Sequence, residues 1–324
     1  MAATFSEIER RIQRASRILV VSHDRPDGDA IGSVVATGML LEKLGKEVEL
    51  VNFDRVPESL AFLPGSERIE SPRGRSEADL VIALDSAGRD RINEAVWEFA
   101  SAIETVVNID HHVSNTEFGT LNYVDGESPA TGQIVFQLAA SAGWEMDREI
   151  AENLYAAIST DTGSFRYPST TSETYRIVAT LTDLGVDVGR INQLLYENYP
   201  ERRVQLLRVM LQNMRMDFDG RCASLSLPIA ISKTLELAVG DTEGVIDVVR
   251  AIDTVIVAIL FEELPDGRIR VSSRSKDPRC NVGEICAEFG GGGHALAAGA
   301  RLPGPLQDAR ERFLAHVSRK LETF

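Results

Sequence analysis

One imidazole and three carboxylates stand within seven residues in His23-Asp-Arg-Pro-Asp27-Gly-Asp29. Cores and helices do not tolerate that density of unpaired charge. By itself the run reads equally well as a polar turn ahead of a helix, with Asp29 as its N-cap. Three further places change the balance: Asp85, then Asp110-His111-His112, then Asp161 in Ser159-Thr-Asp161-Thr-Gly-Ser-Phe-Arg166. Carboxylates with imidazoles and no thiolate suit Mn²⁺, Mg²⁺ or Co²⁺ rather than structural zinc. Two cations held about 3.5–4 Å apart need one shared carboxylate. Asp85, without an acidic neighbour, suits the bridging role.

These residues must be delivered to one place, and the pattern around them says how. Short β-branched runs alternate with helical stretches through the first half, the signature of a parallel sheet covered by helices. Candidate strands are Arg17 to Ser22, Glu47 to Asn52, Asp79 to Leu84 and Thr105 to Ile109, with a helix from Ala30 to Gly45. His23, Asp85 and Asp110 directly follow three of these strands, at the carboxyl ends where parallel sheets bind ligands. Asp161 follows a helical stretch and precedes a turn; helical patterns dominate from Ala130 to about Asn198. The expected organisation is a catalytic domain over 1–186, a helical linker over 187–203 that ends around Pro200, and a smaller mixed α/β domain over 204–324.

Composition narrows the function classes. The 324 residues are 44% hydrophobic and 26% charged, as in a folded water-soluble chain. The most apolar run, Thr254 to Phe261, has only strand length, so no membrane span is expected. The opening Met1-Ala-Ala-Thr-Phe-Ser-Glu has neither the basic start nor the apolar middle of a secretory signal, which makes the cytoplasm the expected location. Three cysteines without a CxxC pair are expected to be free thiols. A net charge of −15 argues against a long or duplex nucleic-acid partner, which would need a basic face. Trp97 and Trp144 are read as packing residues, while Arg89, Arg91 and Arg166 read either as substrate contacts or as surface charge.

The order H-x-x-x-D-x-D, lone D, D-H-H, lone D, followed by Gly290-Gly-Gly-Gly-His294-Ala-Leu-Ala-Ala-Gly299, resembles the DHH phosphoesterases that carry a DHH-associated C-terminal domain. The match runs from residue 18 to residue 300. The resemblance implies two cations, Mn²⁺ first among the candidates: His23, Asp27 and Asp85 around one, and Asp29, Asp85, His111 and Asp161 around the other. It implies that His112 faces the substrate phosphate, with Asp110 fixing the geometry of the histidine, and that the protein forms a homodimer through its N-terminal domain. Length and the lack of flanking modules are most similar to the standalone oligoribonuclease and phosphoadenosine-phosphate phosphatase group. The glycine-rich segment distinguishes the chain from manganese-dependent inorganic pyrophosphatases.

The second domain is expected to grip substrate. Its candidates are Arg274 and Ser275 at a strand end, Asn281 at a helix start, and Gly291, Gly292, Gly293 and His294, where close backbone approach needs glycine and successive amides can cradle a phosphate. The expected activity is hydrolysis of short oligoribonucleotides or dinucleotides to mononucleotides, with 3′-phosphoadenosine-5′-phosphate as a second substrate. The alternatives are a phosphodiesterase acting on cyclic di-AMP or pApA, and a nucleotide sensor without turnover.

Overall fold

A computed structural model describes residues 3–238 and 240–322. Met1 and Ala2, which open the segment read for a signal, and Phe324, which closes the expected second domain, lie outside it. The chain divides into two compact units, Met1–Asn198 and Tyr199–Phe324.

In the first unit the elements run α1 (Phe5–Arg14), β1 (Arg17–Val21), α2 (Gly28–Lys43), β2 (Glu47–Val51), β3 (Leu80–Leu84), α3 (Glu94–Phe99), β4 (Val106–Asp110), β5 (Leu121–Val124), α4 (Thr131–Ser141), α5 (Arg148–Asp161), α6 (Ser172–Asp183) and α7 (Val188–Tyr196). The strands form one sheet in the order β2-β1-β3-β4-β5, with every neighbouring pair parallel. The expected parallel α/β architecture is therefore present, extended at one edge by β5. Burial explains the strand sequences: every residue of β3 is buried, as a sheet covered on both faces requires. Ile18, Val20, Ile82 and Leu84 face a core shared with α2, α4 and α5, while Leu19, Val21, Val81 and Ala83 face α3. Trp97 lies in that second cluster, stacked under the Arg89 guanidinium at 4.3 Å. α7 falls in the stretch read as linker, yet it buries Ile191 and Leu195 in the core of the first unit.

The second unit runs α8 (Glu201–Gln212), β6 (Arg215–Asp217), β7 (Cys222–Leu227), α9 (Ile229–Thr234), α10 (Val245–Arg250), β8 (Val257–Glu263), β9 (Arg268–Ser275), α11 (Val282–Ala287), β10 (Gly292–His294), β11 (Ala297–Pro303) and α12 (Leu306–Leu321). Its mixed sheet has the order β10-β11-β9-β8-β7-β6. One face packs on Phe313 and Val317 of α12 and on α11; the other, over β7 and β8, packs on Leu206, Met210, Ile246 and Val249. Cys222, Cys280 and Cys286 are buried free thiols in the first of these cores, whose apolar surroundings push the Cys222 thiol up to about 12. Among the described residues no helix is long and apolar enough to cross a membrane.

Candidate metal centre

All the acidic and histidine candidates of the first unit converge at the carboxyl end of its sheet. His23 lies two residues beyond β1, Asp85 one beyond β3, Asp110 ends β4, and Asp161 ends α5. Parallel pairing in register places β1, β3 and β4 side by side, so the residues that follow them meet at one edge. Asp29 comes from the first turn of α2. The cap of that helix is Asp27, whose carboxylate accepts from the N–H groups of Asp29 and Ala30, so the turn reading that made Asp29 the cap is corrected by two residues. Asp29 is instead buried, at 1% exposure.

Donor atoms of His23, Asp27 and Asp85 lie within 4.8 Å of one another, as do those of Asp29, His111 and Asp161. Asp85 stands between the two groups. Its Oδ2 is 3.5 Å from His23 Nε2, and its Oδ1 is 3.5 Å from His111 Nε2. His111 Nε2 is also 3.3 Å from Asp161 Oδ2 and 3.8 Å from Asp29 Oδ2. Asp85 holds this place with φ at +53°, a left-handed backbone uncommon outside glycine and costing about 1–3 kcal/mol.

The histidine tautomers follow from their second partners. His23 Nδ1 is 2.8 Å from the Asp24 carbonyl and His111 Nδ1 is 3.2 Å from the Ser128 carbonyl; a carbonyl only accepts, so both Nδ1 atoms carry hydrogen. Nε2 of each is then the ring atom turned toward the carboxylates, and it is the atom a metal-ligating imidazole would use. His112 differs: its Nδ1 is 2.8 Å from Asp110 Oδ1. Asp110 is fully buried and takes a second hydrogen bond on Oδ2 from Asn115 Nδ2 at 2.6 Å. Asn115 in turn donates to Asn108 Oδ1 at 2.8 Å, and Asn108 donates to the Ala83 and Ser86 carbonyls. Sequence reading did not single out this amide relay; an Asn five residues after Asp110 carries no signal without the fold.

The buried charges of this cluster strain against one another. Burial, then the neighbouring charges of Asp85 and Asp161, raise the Asp29 carboxyl well above its usual range. Burial, aided by the Asp27 and Asp85 charges, lifts Asp161 to about 6. Burial opposes charge on His23, but the hydrogen bond its protonated ring donates to Asp85 and the charges of Asp27 and Asp85 outweigh it and hold the imidazole at about 9. Burial likewise opposes charge on His112, but its bond to Asp110 prevails and holds it at about 9. For Asp85 the pull of the imidazoles overcomes burial and lowers its carboxyl. A hard, oxygen- and nitrogen-seeking cation would resolve this excess of buried carboxylate, and the donor set fits one.

The second unit presents its candidates on a sheet face. Along β9, Arg268, Arg270, Ser272 and Arg274 alternate with buried Ile269, Val271, Ser273 and Ser275. Arg274 thus points away from the core containing Phe313, while Ser275 is buried behind it with its hydroxyl donating to the Asp277 carbonyl at 2.9 Å. Asn281 caps α11, accepting from Glu284 N–H at 3.1 Å. The glycine run is neither hinge nor loose loop: Gly292, Gly293 and His294 form β10, paired with Gly299, Ala298 and Ala297. A Cβ on Gly291 would lie 2.2 Å from the Gly299 carbonyl oxygen, and one on Gly293, at φ +136°, 2.5 Å from that of Ala297. Those two glycines let the hairpin close.

The chain is similar to known proteins along most of its length. Residues 17–158 match the DHH family, N-terminal domain, and residues 227–323 match the DHHA1 domain. The chain is 34% identical over 306 residues to the bifunctional oligoribonuclease and PAP phosphatase NrnA of Thermus thermophilus, covering 94% of this chain and 90% of that one. It is 30% identical to the probable enzyme of the same name from Streptococcus mutans, over 91% of this chain and 93% of the relative. A crystal structure of an exopolyphosphatase-related protein from Bacteroides fragilis superposes with a TM-score of 0.88 at 29% identity, covering 97% and 95% of the two chains.

Proposed function

The chain belongs to the DHH family, and from that premise we propose that it is a two-cation hydrolase that converts short oligoribonucleotides, and 3′-phosphoadenosine-5′-phosphate, to mononucleotides. The observation that carries this reading is Asp85, whose two oxygens each face a different imidazole at 3.5 Å. His23, Asp27 and Asp85 would hold one cation, and Asp29, Asp85, His111 and Asp161 the other. The four carboxylates of that set formally balance two divalent ions. Mn²⁺ is the ion proposed, with Mg²⁺ or Co²⁺ as substitutes in the same donor set. When bound, such ions neutralise charge on phosphoryl oxygens and acidify water enough for hydrolysis near neutral pH.

The protein's own groups do the rest. With Nδ1 spent on Asp110, His112 presents Nε2 as the proton or hydrogen-bond donor to a phosphate as charge builds on it. Asp110, locked by Asn115, keeps that imidazole oriented. Arg274, Asn281, His294 and the backbone of Gly291 to Gly293 are assigned to nucleotide binding in the second unit, while Ser275 faces the core on the other side of β9. Substrate class follows from the names of the relatives and from the −15 net charge, which disfavours long strands.

The test is turnover of pApA, phosphoadenosine phosphate, cyclic di-AMP and a long single strand, each with Mn²⁺ or Mg²⁺. Rapid release of mononucleotide from the first two is expected. Faster cleavage of cyclic di-AMP would reassign the substrate; tight binding without release from any of them would make the protein a sensor.

A further inference from the structure

Thr131 opens α4 and is fully buried. Helix starts leave N–H groups without partners, and here the residue at the cap position, Ala130, has no side chain that could accept from them. The partner is Asp29, 102 residues away in the chain: Thr131 N–H donates to its Oδ2 at 2.6 Å. Gly132 N–H donates to its Oδ1 at 2.8 Å. The Thr131 hydroxyl goes elsewhere, to Asp85 Oδ1 at 3.0 Å. One residue therefore grips two carboxylates from different elements. The two oxygens it contacts are those that face His111 Nε2, at 3.8 Å from Asp29 and 3.5 Å from Asp85.

We propose that Thr131 is a positioning residue for the cation site formed by Asp29, Asp85, His111 and Asp161. A carboxylate oxygen that accepts one hydrogen bond keeps a second lone pair, so the Thr131 contacts orient these oxygens without consuming them. The hydroxyl sets the rotation of Asp85: Oδ1 is pinned toward His111, and Oδ2 turns to His23. Loss of the hydroxyl frees that rotation, and the site in contact with Oδ1 suffers most. On the side of His23, Asp85 Oδ2 keeps the imidazole beside it, so that site is affected less.

This inference rests on the two-cation reading, and the experiment separates them. Mn²⁺ is titrated into wild type, Thr131→Val and Thr131→Ser, followed by calorimetry and by electron paramagnetic resonance of bound Mn²⁺. Valine removes the hydroxyl while keeping the main-chain N–H and nearly the shape; serine keeps both donors. Wild type should take up two ions. Thr131→Val should retain one site and weaken the other by about tenfold to a hundredfold, the usual effect of removing a partner of a metal ligand. Thr131→Ser should bind as wild type does, and kcat rather than KM should fall in the valine variant. A wild type that binds one ion overturns the two-cation reading itself. Two ions in wild type with both sites unchanged, or equally weakened, in Thr131→Val overturn the role of Thr131 alone. If circular dichroism shows that Thr131→Val is unfolded, Thr131→Ala takes its place and must show the same split.

Discussion

The candidate sites of the two units handle charge in opposite ways. In the first, Asp29, Asp85, Asp110 and His111 are each no more than 5% exposed, and every one is held by partners from other elements. In the second, Arg274 and His294 are only half-buried and stand on a sheet face whose shape comes from glycine backbone. Buried carboxylates repel one another and lose solvation, so they persist only on a scaffold that fixes them. The second face, proposed to bind a nucleotide, would work with half-exposed cations and open backbone, at little cost to the fold. The lesson is that preorganisation is concentrated where charge must be held against its own repulsion.

The sharpest way to break this contrast is Asp85→Ala. Loss of the carboxylate between the two donor groups should lower kcat about a thousandfold or more, several kcal/mol of lost stabilisation, and lower Mn²⁺ stoichiometry with it. Near-normal turnover with full occupancy would remove the distinction between the units. Metal withdrawal comes next. Chelation should lower the melting temperature of the protein, and cation restored at a hundredfold over its Kd should return about 2.7 kcal/mol per site; calorimetric scans with and without chelator read this directly. Unchanged melting would mean that the carboxylates are content without cations.

Arg274→Ala and His294→Ala probe the other side of the comparison. Each should raise KM for dinucleotides by roughly tenfold to a hundredfold, the size of a lost charge-assisted hydrogen bond, while Mn²⁺ binding stays as in wild type. The split between KM and metal affinity is the quantity to watch, since loss of metal would place these residues in the wrong role. The smallest effect concerns substrate length. At fixed salt and metal, kcat/KM should be highest for substrates of two to four nucleotides and decline gently beyond, because added phosphates meet a chain of net charge −15. Efficiency that climbs with length would point to a binding track that the acidic surface does not suggest.

Much of the fold was legible in the sequence for a simple reason. Runs such as Ile18-Leu-Val-Val21 and Leu80-Val-Ile-Ala-Leu84 are apolar throughout, as strands buried on both faces must be. β5 was not legible: Leu121–Val124 is short, partly exposed and has polar neighbours, and it pairs only because β4 offers an open edge. Helix termini moved by a few residues, as with Asp27 displacing Asp29 as the cap of α2. Local propensity does not separate two aspartates two positions apart.

The sequence by itself determined which residues end the strands and what donors they carry, because strand periodicity and residue chemistry are local properties. His23, Asp85, Asp110 and His111 were found that way, and Asp161 by its place between a helical stretch and a turn. Only the tertiary structure decided that Asp85 turns one oxygen to His23 and the other to His111. It alone placed Ser275 behind Arg274 rather than beside it, and gave the start of α4 to Asp29. Thr131 shows why: its contacts to Asp29 and Asp85 span 102 and 46 residues of chain, and no pattern read over a few turns of helix or a single strand contains such a pairing.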